Sequence, residues 1–215
     1  MSQHSTKCLM CLLGLIASLT STSFQLSAKE EDAPKGPNKR DMNFAKHDFT
    51  KKGENLQYAD FRDSNCSEAK FNRINLTGAD FRDSNLEFAR LDECDLSQAD
   101  FRDALLTSTY FRKAKMSRVN MEQCKNFDAS NVETLRRAKL KKAEIKGSLE
   151  NTDLREADLR GANLSAVHYF PGAKFKNAYY SEETIFMDGF DPAEHGMIKK
   201  DIDDELTDEG GSKKK

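Results

Sequence analysis

The 215-residue chain lacks tryptophan altogether and contains only 4 prolines and 4 histidines. So few prolines exclude a proline-rich linker protein. Apolar residues make up only 37% of the chain and charged residues 33%, with a mean hydropathy of −0.76. A typical globular domain is more apolar, so this composition predicts partial disorder or a thin hydrophobic core. The histidines and the 5 cysteines are scattered, which leaves few ligands for a metal site.

Neither sign of charge dominates, since the chain has 34 basic and 36 acidic residues and a formal net charge of −2. This balance excludes a uniformly basic nucleic-acid binder and a strongly acidic mimic of DNA. We therefore expect no nucleic-acid partner from composition alone.

An apolar run, CLMCLLGLIASL at residues 8–19, follows Lys7 and precedes small polar residues. This layout predicts a secretory signal peptide at residues 1–28, cleaved after Ser23 or after Ala28. The run is short for a membrane span, so no stable membrane insertion is expected after cleavage. The alternative is that the segment is not cleaved and serves as a membrane anchor. The predicted location is periplasmic or secreted, or the thylakoid lumen if the source is photosynthetic.

A period of five runs through the middle of the chain: from Leu56 to Met121 every fifth residue is apolar. Two positions earlier, nearly every pentad has a small or uncharged residue. Alternate side chains of a strand share a face, so each pentad predicts a very short strand followed by a turn. A period of six fails, because it places Arg62, Glu68 and Asp80 at the apolar position, and this excludes a hexapeptide β-helix.

A second period of twenty residues is visible in the string ADFRDS at residues 59–64 and 79–84, followed by ADFRDA at 99–104. Twenty residues are four pentads, which predicts a four-sided coil that stacks on the next coil. The phenylalanines of these strings are then expected to stack in one column: Phe61, Phe81 and Phe101.

These residues resemble the pentapeptide-repeat family, whose pattern is A-(D/N)-L-x-x. The matching stretches are residues 59–61, 79–81, 99–101, 157–159 and 162–164. The resemblance spans residues 54–180 and implies an all-β fold, the right-handed quadrilateral β-helix solenoid, of about six coils. Most members of the family have no assigned activity, so the resemblance says little about function.

Segments on both sides of the repeats are expected to cap the solenoid. Residues 29–53 predict a linker and an N-terminal cap in which Phe44 and Phe49 turn inward. Residues 181–197 resemble the segment that closes many bacterial members of the family and predict a C-terminal cap. Residues 198–215 are charged without periodicity and predict a disordered tail.

The register blurs near residues 123–137. Ser130 and Glu133 have the spacing of a helix capping box, so we expect a short helical or irregular insertion that can protrude from the solenoid. A slip of one residue follows before Leu149.

Charge is banded along the sequence. Residues 54–103 hold 6 basic and 12 acidic residues, residues 104–147 hold 11 and 4, and residues 148–197 hold 4 and 9. The basic stretch at the centre is Arg136, Arg137, Lys139, Lys141, Lys142 and Lys146. It predicts a docking surface for an anionic protein or a polyanionic envelope partner, and the alternative is a solvated face.

Catalytic motifs are absent from the sequence: it has no HExxH, GxSxG or P-loop, and His47, His168 and His195 are far apart. Aspartates recur at positions 60, 80 and 100 and at 63, 83 and 103, with arginine between them, so neutralisation by arginine is simpler than a cation site. We therefore predict an exported, non-enzymatic scaffold or protein-interaction module without cofactor or metal. The alternatives are duplex mimicry that regulates a DNA topoisomerase, which the family resemblance implies, and an enzyme with an unrecognised site on the capping segments.

The cysteines left after cleavage are expected to be free, because the register separates them. Cys66 falls on the third side of its coil, Cys94 on the first, and Cys124 on the third in a later coil. A disulfide needs Cα atoms within about 7 Å, so we predict three buried thiols that pack as small apolar residues.

Overall fold

The computed structural model describes residues 35–51 and 53–204. The predicted signal peptide, residues 1–28, lies outside the described residues, as do residues 205–215 of the predicted tail. Within the described ranges, no helix combines the length and the apolar composition that a membrane span requires.

The repeats form parallel β-bridges between residues that stand about twenty positions apart in the chain. One coil places successive bridges at Asn75, Asp80, Asn85 and Arg90, and we number the four faces first to fourth in that order. The second face continues through most of the described chain, along Asp60, Asp80, Asp100, Asn120, Lys139, Asp158 and Tyr179. These ladders form the four-sided β-helix that the period of twenty predicts.

The repeat pattern has a local physical explanation, visible in the coil that contains Asp80. Ala79 and Phe81 flank this bridge residue, point inward and are fully buried. The Asp80 carboxylate accepts a hydrogen bond from the Arg82 backbone N–H at 3.1 Å, which fixes the corner as an Asx turn. Asp83 then turns the chain with a φ of 58°, in the left-handed region where aspartate is tolerated better than most residues.

The core is a set of side-chain columns that run along the coils. The rings of Phe61 and Phe81 stack with centroids 4.8 Å apart, and those of Phe81 and Phe101 stack at 5.0 Å. Both pairs are nearly parallel, which confirms the predicted column. A second column begins with Phe49 on Phe71 at 4.6 Å.

Longer strands appear in the second half of the chain. The named elements of the described residues are a 3-10 helix at Phe49–Lys51, β1 Phe127–Asp128, β2 Glu144–Ser148, β3 Asn163–Tyr169, β4 Tyr179–Tyr180 and β5 Ile198–Lys199. β2 pairs in parallel with β1 and with β3, and β4 pairs in parallel with β5. The β2–β3 pairing contains register shifts.

A protruding insertion near residues 123–137 is not found, because this coil is one residue shorter than the regular coils before it. Lys115 bridges Thr134 and Asn120 bridges Lys139, a spacing of nineteen residues instead of twenty. The helical alternative for residues 130–137 is wrong, since they form turns and a bridge. Their apolar side chains are buried in the core: Val132 and Leu135.

At the N-terminal end, the segment predicted as a cap continues the coil pattern. Asn38 bridges Asp60, and its neighbours extend the other ladders in the same way. Phe49 is buried and Phe44 packs against the core, so both turn inward as predicted.

At the C-terminal end, aromatic rings cluster around Phe190. Its ring centroid lies 4.9 Å from that of Phe175 and 4.4 Å from that of His195. The prediction of a disordered tail is wrong for residues 198–204, because β5 extends the second-face ladder by pairing with β4. Lack of periodicity in the sequence did not prevent this segment from forming backbone hydrogen bonds.

Candidate partner-binding face

In the regular coils, charged residues of the second face neutralise one another. The Arg82 guanidinium donates to both carboxylate oxygens of Asp80, at 2.9 and 2.6 Å, and lies 3.9 Å from Asp100 in the next coil. Arg62 holds Asp60 in the same way and lowers the pKa of that carboxyl. This geometry confirms the predicted neutralisation by arginine for the inner aspartate column.

The outer aspartate column lies at the corners and is not held by these arginines. Asp63 instead pairs with Arg40 at 3.0 Å. In the part of the chain that the structure describes, neither Asp83 nor Asp103 has an ion pair within 4.0 Å, and no group of three or more His, Cys, Asp and Glu side chains could hold a metal ion. The sequence pattern alone does not distinguish the two columns, whereas the corner turns the outer carboxylates away from the arginines.

The aspartate–arginine pairing of the second face is interrupted in two successive coils. Asn120 and Glu122 replace aspartate and arginine in the first of these coils, and Lys139 and Lys141 replace them in the second. The Lys141 carbonyl accepts the Gln123 N–H at 3.0 Å, which fixes its place in the corner column. The interruption therefore leaves two lysines where a neutral pair stands elsewhere.

Arg136 and Arg137 lie at the corner before Lys139 and are both occupied by one acid. The Glu156 carboxylate accepts from the Arg136 guanidinium at 2.7 Å and from the Arg137 guanidinium at 2.6 Å. The hydrogen bond from Arg136, followed by that from Arg137, lowers the pKa of Glu156. The sequence did not identify Glu156 as a partner, although it stands about one coil further along the chain.

Lys139, Lys141 and Lys142 form the lysine patch. Lys139 lies on the second face, and the other two form the corner that follows it. Lys139 and Lys142 are exposed and Lys141 is half-buried. Among residues 35–51 and 53–204, none of the three has an acidic partner within 4.0 Å, in contrast to the arginines beside them. The patch therefore has positive charge that the described part of the chain does not compensate by direct pairing.

Lys146 does not join this patch. In the backbone register of the β1–β2–β3 sheet, Lys146 lies opposite Asp128 of β1 and Ala166 of β3. Lys113 lies at the corner that ends the fourth face, and its N–H donates to the Asn131 carbonyl at 2.7 Å. The corner at Ser130 and Asn131 therefore also ends the fourth face, and Asp128, just before it, lies on that face. Lys146 therefore lies on the fourth face, opposite Lys139, and the six-residue basic stretch divides into the lysine patch, an arginine pair engaged by Glu156, and one distant lysine.

The thiol groups of the described residues are packed away from solvent. Cys66, Cys94 and Cys124 are free and buried, as predicted. Burial raises the pKa of the Cys66 thiol to about 11 and the pKa values of the Cys94 and Cys124 thiols to about 12. Because the thiolate is the nucleophile, these cysteines are unsuited to nucleophilic catalysis at neutral pH.

A depression of about 530 Å³ lies on the fourth face, away from both ends of the solenoid. Arg90, Tyr110, Arg112 and Asp128 are among the residues that line it. The Arg90 guanidinium lies 5.6 Å from the centroid of the half-exposed Tyr110 ring, and the Arg112 backbone N–H donates to Asp92. These groups hold one another, and the alternative of a catalytic site on the capping segments draws no support from this depression.

Comparison with known proteins places the geometry in a family. A family model described as pentapeptide repeats matches residues 59–98, 84–123 and 134–179, with 8 copies of the repeat. No curated protein matches the chain.

Solved structures with a similar fold include HetL, a pentapeptide repeat protein involved in heterocyst differentiation regulation from the cyanobacterium Nostoc sp. strain PCC 7120. It is 18% identical with a TM-score of 0.46, over 83% of this chain and 92% of that chain. QnrB1, a plasmid-mediated fluoroquinolone resistance protein, is 17% identical with a TM-score of 0.39, over 77% and 90%. A pentapeptide repeat protein from the Arabidopsis thaliana thylakoid lumen is 28% identical with a TM-score of 0.31, over 60% and 70%. Because the family model matches more than half of the 215 residues, the chain belongs to the pentapeptide-repeat family.

Proposed function

We propose that this pentapeptide-repeat protein is an exported, non-enzymatic interaction module that docks an acidic protein partner on its lysine patch. The observation that carries the proposal is the contrast on one face. Arg62, Arg82 and Arg102 each hold an aspartate two residues away, whereas Lys139 and Lys141 occupy the same two positions and have no acidic partner among the described residues. Uncompensated, solvent-facing charge of one sign attracts a partner of the opposite sign.

The shape of the patch favours a compact acidic cluster on a protein over a long polyanion. The lysines lie around a single coil, and neighbouring coils are only about 4.8 Å away along the solenoid. Glu122 lies in the preceding coil and Asp158, bound to Arg160, in the following one. A polyanionic envelope glycan that ran along the solenoid would meet these carboxylates, whereas a local acidic cluster would meet lysines alone.

Duplex mimicry, which would regulate a DNA topoisomerase, receives less support. A duplex mimic presents rows of unpaired carboxylates in place of phosphates, but the inner aspartates of the second face are bound by arginine at 2.6 to 2.7 Å. The predicted signal peptide also requires export, away from a cytoplasmic topoisomerase. Cell fractionation with N-terminal sequencing of the mature chain tests this part of the proposal, because an uncleaved cytoplasmic protein would contradict it.

Binding to a defined acidic probe tests the docking surface. A fluorescein-labelled decaglutamate peptide is titrated with the mature protein, with the variant Lys139→Glu/Lys141→Glu/Lys142→Glu, and with a matched control, Lys113→Glu/Lys115→Glu/Lys125→Glu. The control lysines are exposed as well, and both variants change the charge equally. We expect the patch variant to lose at least about tenfold in affinity and the control to stay within about twofold, with the loss growing at low salt.

Equal affinity of both variants for the peptide would refute the lysine patch as the docking surface. Inorganic polyphosphate in place of the peptide distinguishes the partner classes: tighter binding of polyphosphate, with the same dependence on the three lysines, would replace the acidic protein by a polyanion. Neither variant should shift the melting temperature by more than a degree or two, because exposed charges contribute little to stability.

A further inference from the structure

The depression on the fourth face lies where the coil changes shape. In the coil before it, the third-face residue Leu105 and the fourth-face residue Tyr110 are five positions apart, with a corner between them. In the next coil Lys125 bridges Leu105, but the chain reaches the fourth face after only three positions, at Asp128. This coil therefore cuts the corner and leaves one side of the Tyr110 coil uncovered.

The backbone ladder of the fourth face opens at the same point. It reaches Tyr110 through Lys70 and Arg90, and within the described residues no bridge continues it from Tyr110 to the following coil. The ladder resumes beyond the gap, where Asp128 lies opposite Lys146. The depression of about 530 Å³ occupies this gap, and its volume is in the range of small-molecule sites.

Both walls of the depression are held in place. On one wall the Arg90 guanidinium lies 5.6 Å from the centroid of the Tyr110 ring, which is 50% exposed. On the other wall Asp128 accepts the Ser130 backbone N–H at 3.0 Å, and the Ser130 hydroxyl accepts a backbone N–H from the end of β2 at 3.0 Å. A Cβ atom at Gly147 would collide with both side chains of this wall, and the φ of +87° also favours glycine. An aromatic ring and a carboxylate are therefore pre-positioned on the two walls.

The charged groups of the depression are balanced in sign and only partly engaged. Two arginines and two aspartates line it: Arg90, Arg112, Asp92 and Asp128. Asp92 accepts the Arg112 backbone N–H at 3.0 Å, which leaves the guanidinium of this arginine available. Among residues 35–51 and 53–204, none of the four has an ion pair within 4.0 Å, whereas Arg73 and Glu93 at the neighbouring corner lie 2.9 Å apart. The lining therefore offers guanidinium donors and carboxylate acceptors together.

This combination favours a sugar ring over an ion. An anion would meet the two aspartates and a cation would meet the two arginines, so a ligand of either sign gains little net attraction. A sugar is neutral, and each of its hydroxyl groups both donates and accepts hydrogen bonds. Its C–H face is apolar and can lie on the apolar body of a tyrosine ring. Planar guanidinium and carboxylate groups can bind adjacent hydroxyls in pairs.

We propose that the depression binds a neutral hexose unit of a glycan, with the sugar ring on Tyr110 and its hydroxyls bonded to Asp128 and Arg112. The site does not depend on the proposed docking of an acidic partner, because the lysine patch lies on the opposite face. The two surfaces can therefore be tested separately in the same chain.

Saturation-transfer NMR detects binding of such a sugar without a label. The probes are the methyl glycosides of glucose, mannose, galactose and N-acetylglucosamine, and we expect at least one of them to bind. Tyr110→Ala should weaken its binding at least about fivefold, whereas Tyr110→Phe retains the ring and should stay within about twofold. The matched control is Tyr169→Ala, which removes an equally exposed tyrosine that does not line the depression and should leave binding unchanged.

A second variant tests the opposite wall. Asp128→Asn keeps an oxygen that accepts the Ser130 N–H but removes the charged acceptor, so affinity for the glycoside should fall at least about threefold without a change in melting temperature. The variant Lys139→Glu/Lys141→Glu/Lys142→Glu should bind the glycoside like the wild-type chain.

Absence of transfer from all four glycosides would refute the sugar site, as would equal losses for Tyr110→Ala and Tyr169→Ala. Sodium benzoate serves as the competing class of ligand. Tighter binding of benzoate than of any glycoside, with the same dependence on Tyr110, would replace the sugar by an aromatic anion and overturn the proposal. Docking at the lysine patch is tested apart from these results, by the titration with decaglutamate.

Discussion

Residues 56–123 and residues 124–204 form the same four-sided coil, but with different residue types at equivalent positions. On the second face, the inward column runs Phe61, Phe81, Phe101 and Met121 in the first region and then Leu140 and Leu159, all fully buried. The outward positions change from aspartate–arginine pairs to Asn120 and Glu122 and then to Lys139 and Lys141, and an aspartate–arginine pair returns at Asp158 and Arg160. Along this face the spacing of bridge partners changes as well, from twenty residues to nineteen and then to twenty-one.

The comparison indicates what strict repetition does in a solenoid. When the repeat is exact, each side chain meets its own copy one coil away, so rings stack at 4.8 and 5.0 Å and an aspartate lies near two arginines. Such a face satisfies its own charges. Where the sequence departs from the repeat, the backbone ladder continues but side chains lose their matched neighbours. Departures from the repeat are therefore where we expect charges on a face of this protein to be available for a partner.

The largest expected effect is in the stacked column. Phe81→Ala removes a ring that stacks on both sides and should lower the free energy of unfolding by about 3–5 kcal/mol. Phe81→Leu installs the residue type of the second region and should cost less than about 2 kcal/mol. Urea denaturation measures both, and equal losses for the two variants would show that ring stacking is not what distinguishes the first region.

The arginines of the two regions should differ in their importance for stability. Arg160→Ala leaves Asp158, whose side chain is only 10% exposed, without its partner and frees the tail, so we expect a loss of about 3 kcal/mol. Arg82→Ala removes a partly exposed pair and should cost about 1 kcal/mol or less. Thermal unfolding of the two variants checks the ranking, which similar losses would contradict.

The thiols should be protected in both regions alike. Because burial raises the pKa of the Cys66 thiol to about 11, its thiolate fraction at pH 8 is about a hundredfold below that of an ordinary cysteine. Reaction with a thiol reagent should be slower by at least that factor in the folded mature protein, and in denaturant it should reach three equivalents once Cys8 and Cys11 are removed with the predicted signal peptide. Fast labelling of the native protein, or a bridge in non-reducing mass spectrometry, would contradict the packing described.

A smaller effect is expected from acid. Arg136 and then Arg137 lower the pKa of Glu156 from its ordinary value of 4.5, so its contribution to stability is complete above that pH and is lost as the pH falls through the lowered value. Glu156→Gln should cost about 1 kcal/mol at neutral pH and flatten the decline of the melting temperature below pH 4.5. If the melting temperatures of the variant and the wild type declined in parallel with falling pH, the ion pairs of Glu156 with the two arginines would not contribute to stability.

The regions also differ in how far the sequence predicts them. The pentad register assigns the faces, the phenylalanine column and the separation of Cys66 from Cys94 correctly, because each depends only on counting in fives. Counting by face would also have placed Lys146 away from Lys139, since each pentad moves the chain to the next side. The basic residues of the stretch are close in sequence, and this closeness does not show that they lie on different faces.

What the sequence does not predict depends on pairing between coils of unequal length. Glu156 meets Arg136 twenty positions away and Arg137 nineteen positions away, which requires knowledge of where the coil shortens. The contact of Arg160 with Asp201 and Asp204 involves a segment without any repeat, so no periodic argument could reveal it. Tertiary packing of the tail, rather than local propensity, decides that region.

The central claim is that the lysine patch binds an acidic partner because the aspartate–arginine pairing of its face is interrupted there. The most direct test restores the pair with the double variant Lys139→Asp/Lys141→Arg, which gives this coil the outward residues of the first region. We predict that affinity for the decaglutamate probe falls at least about tenfold while the melting temperature stays the same or rises, because the new aspartate gains an arginine two residues away. Unchanged affinity in a folded double variant would contradict the claim.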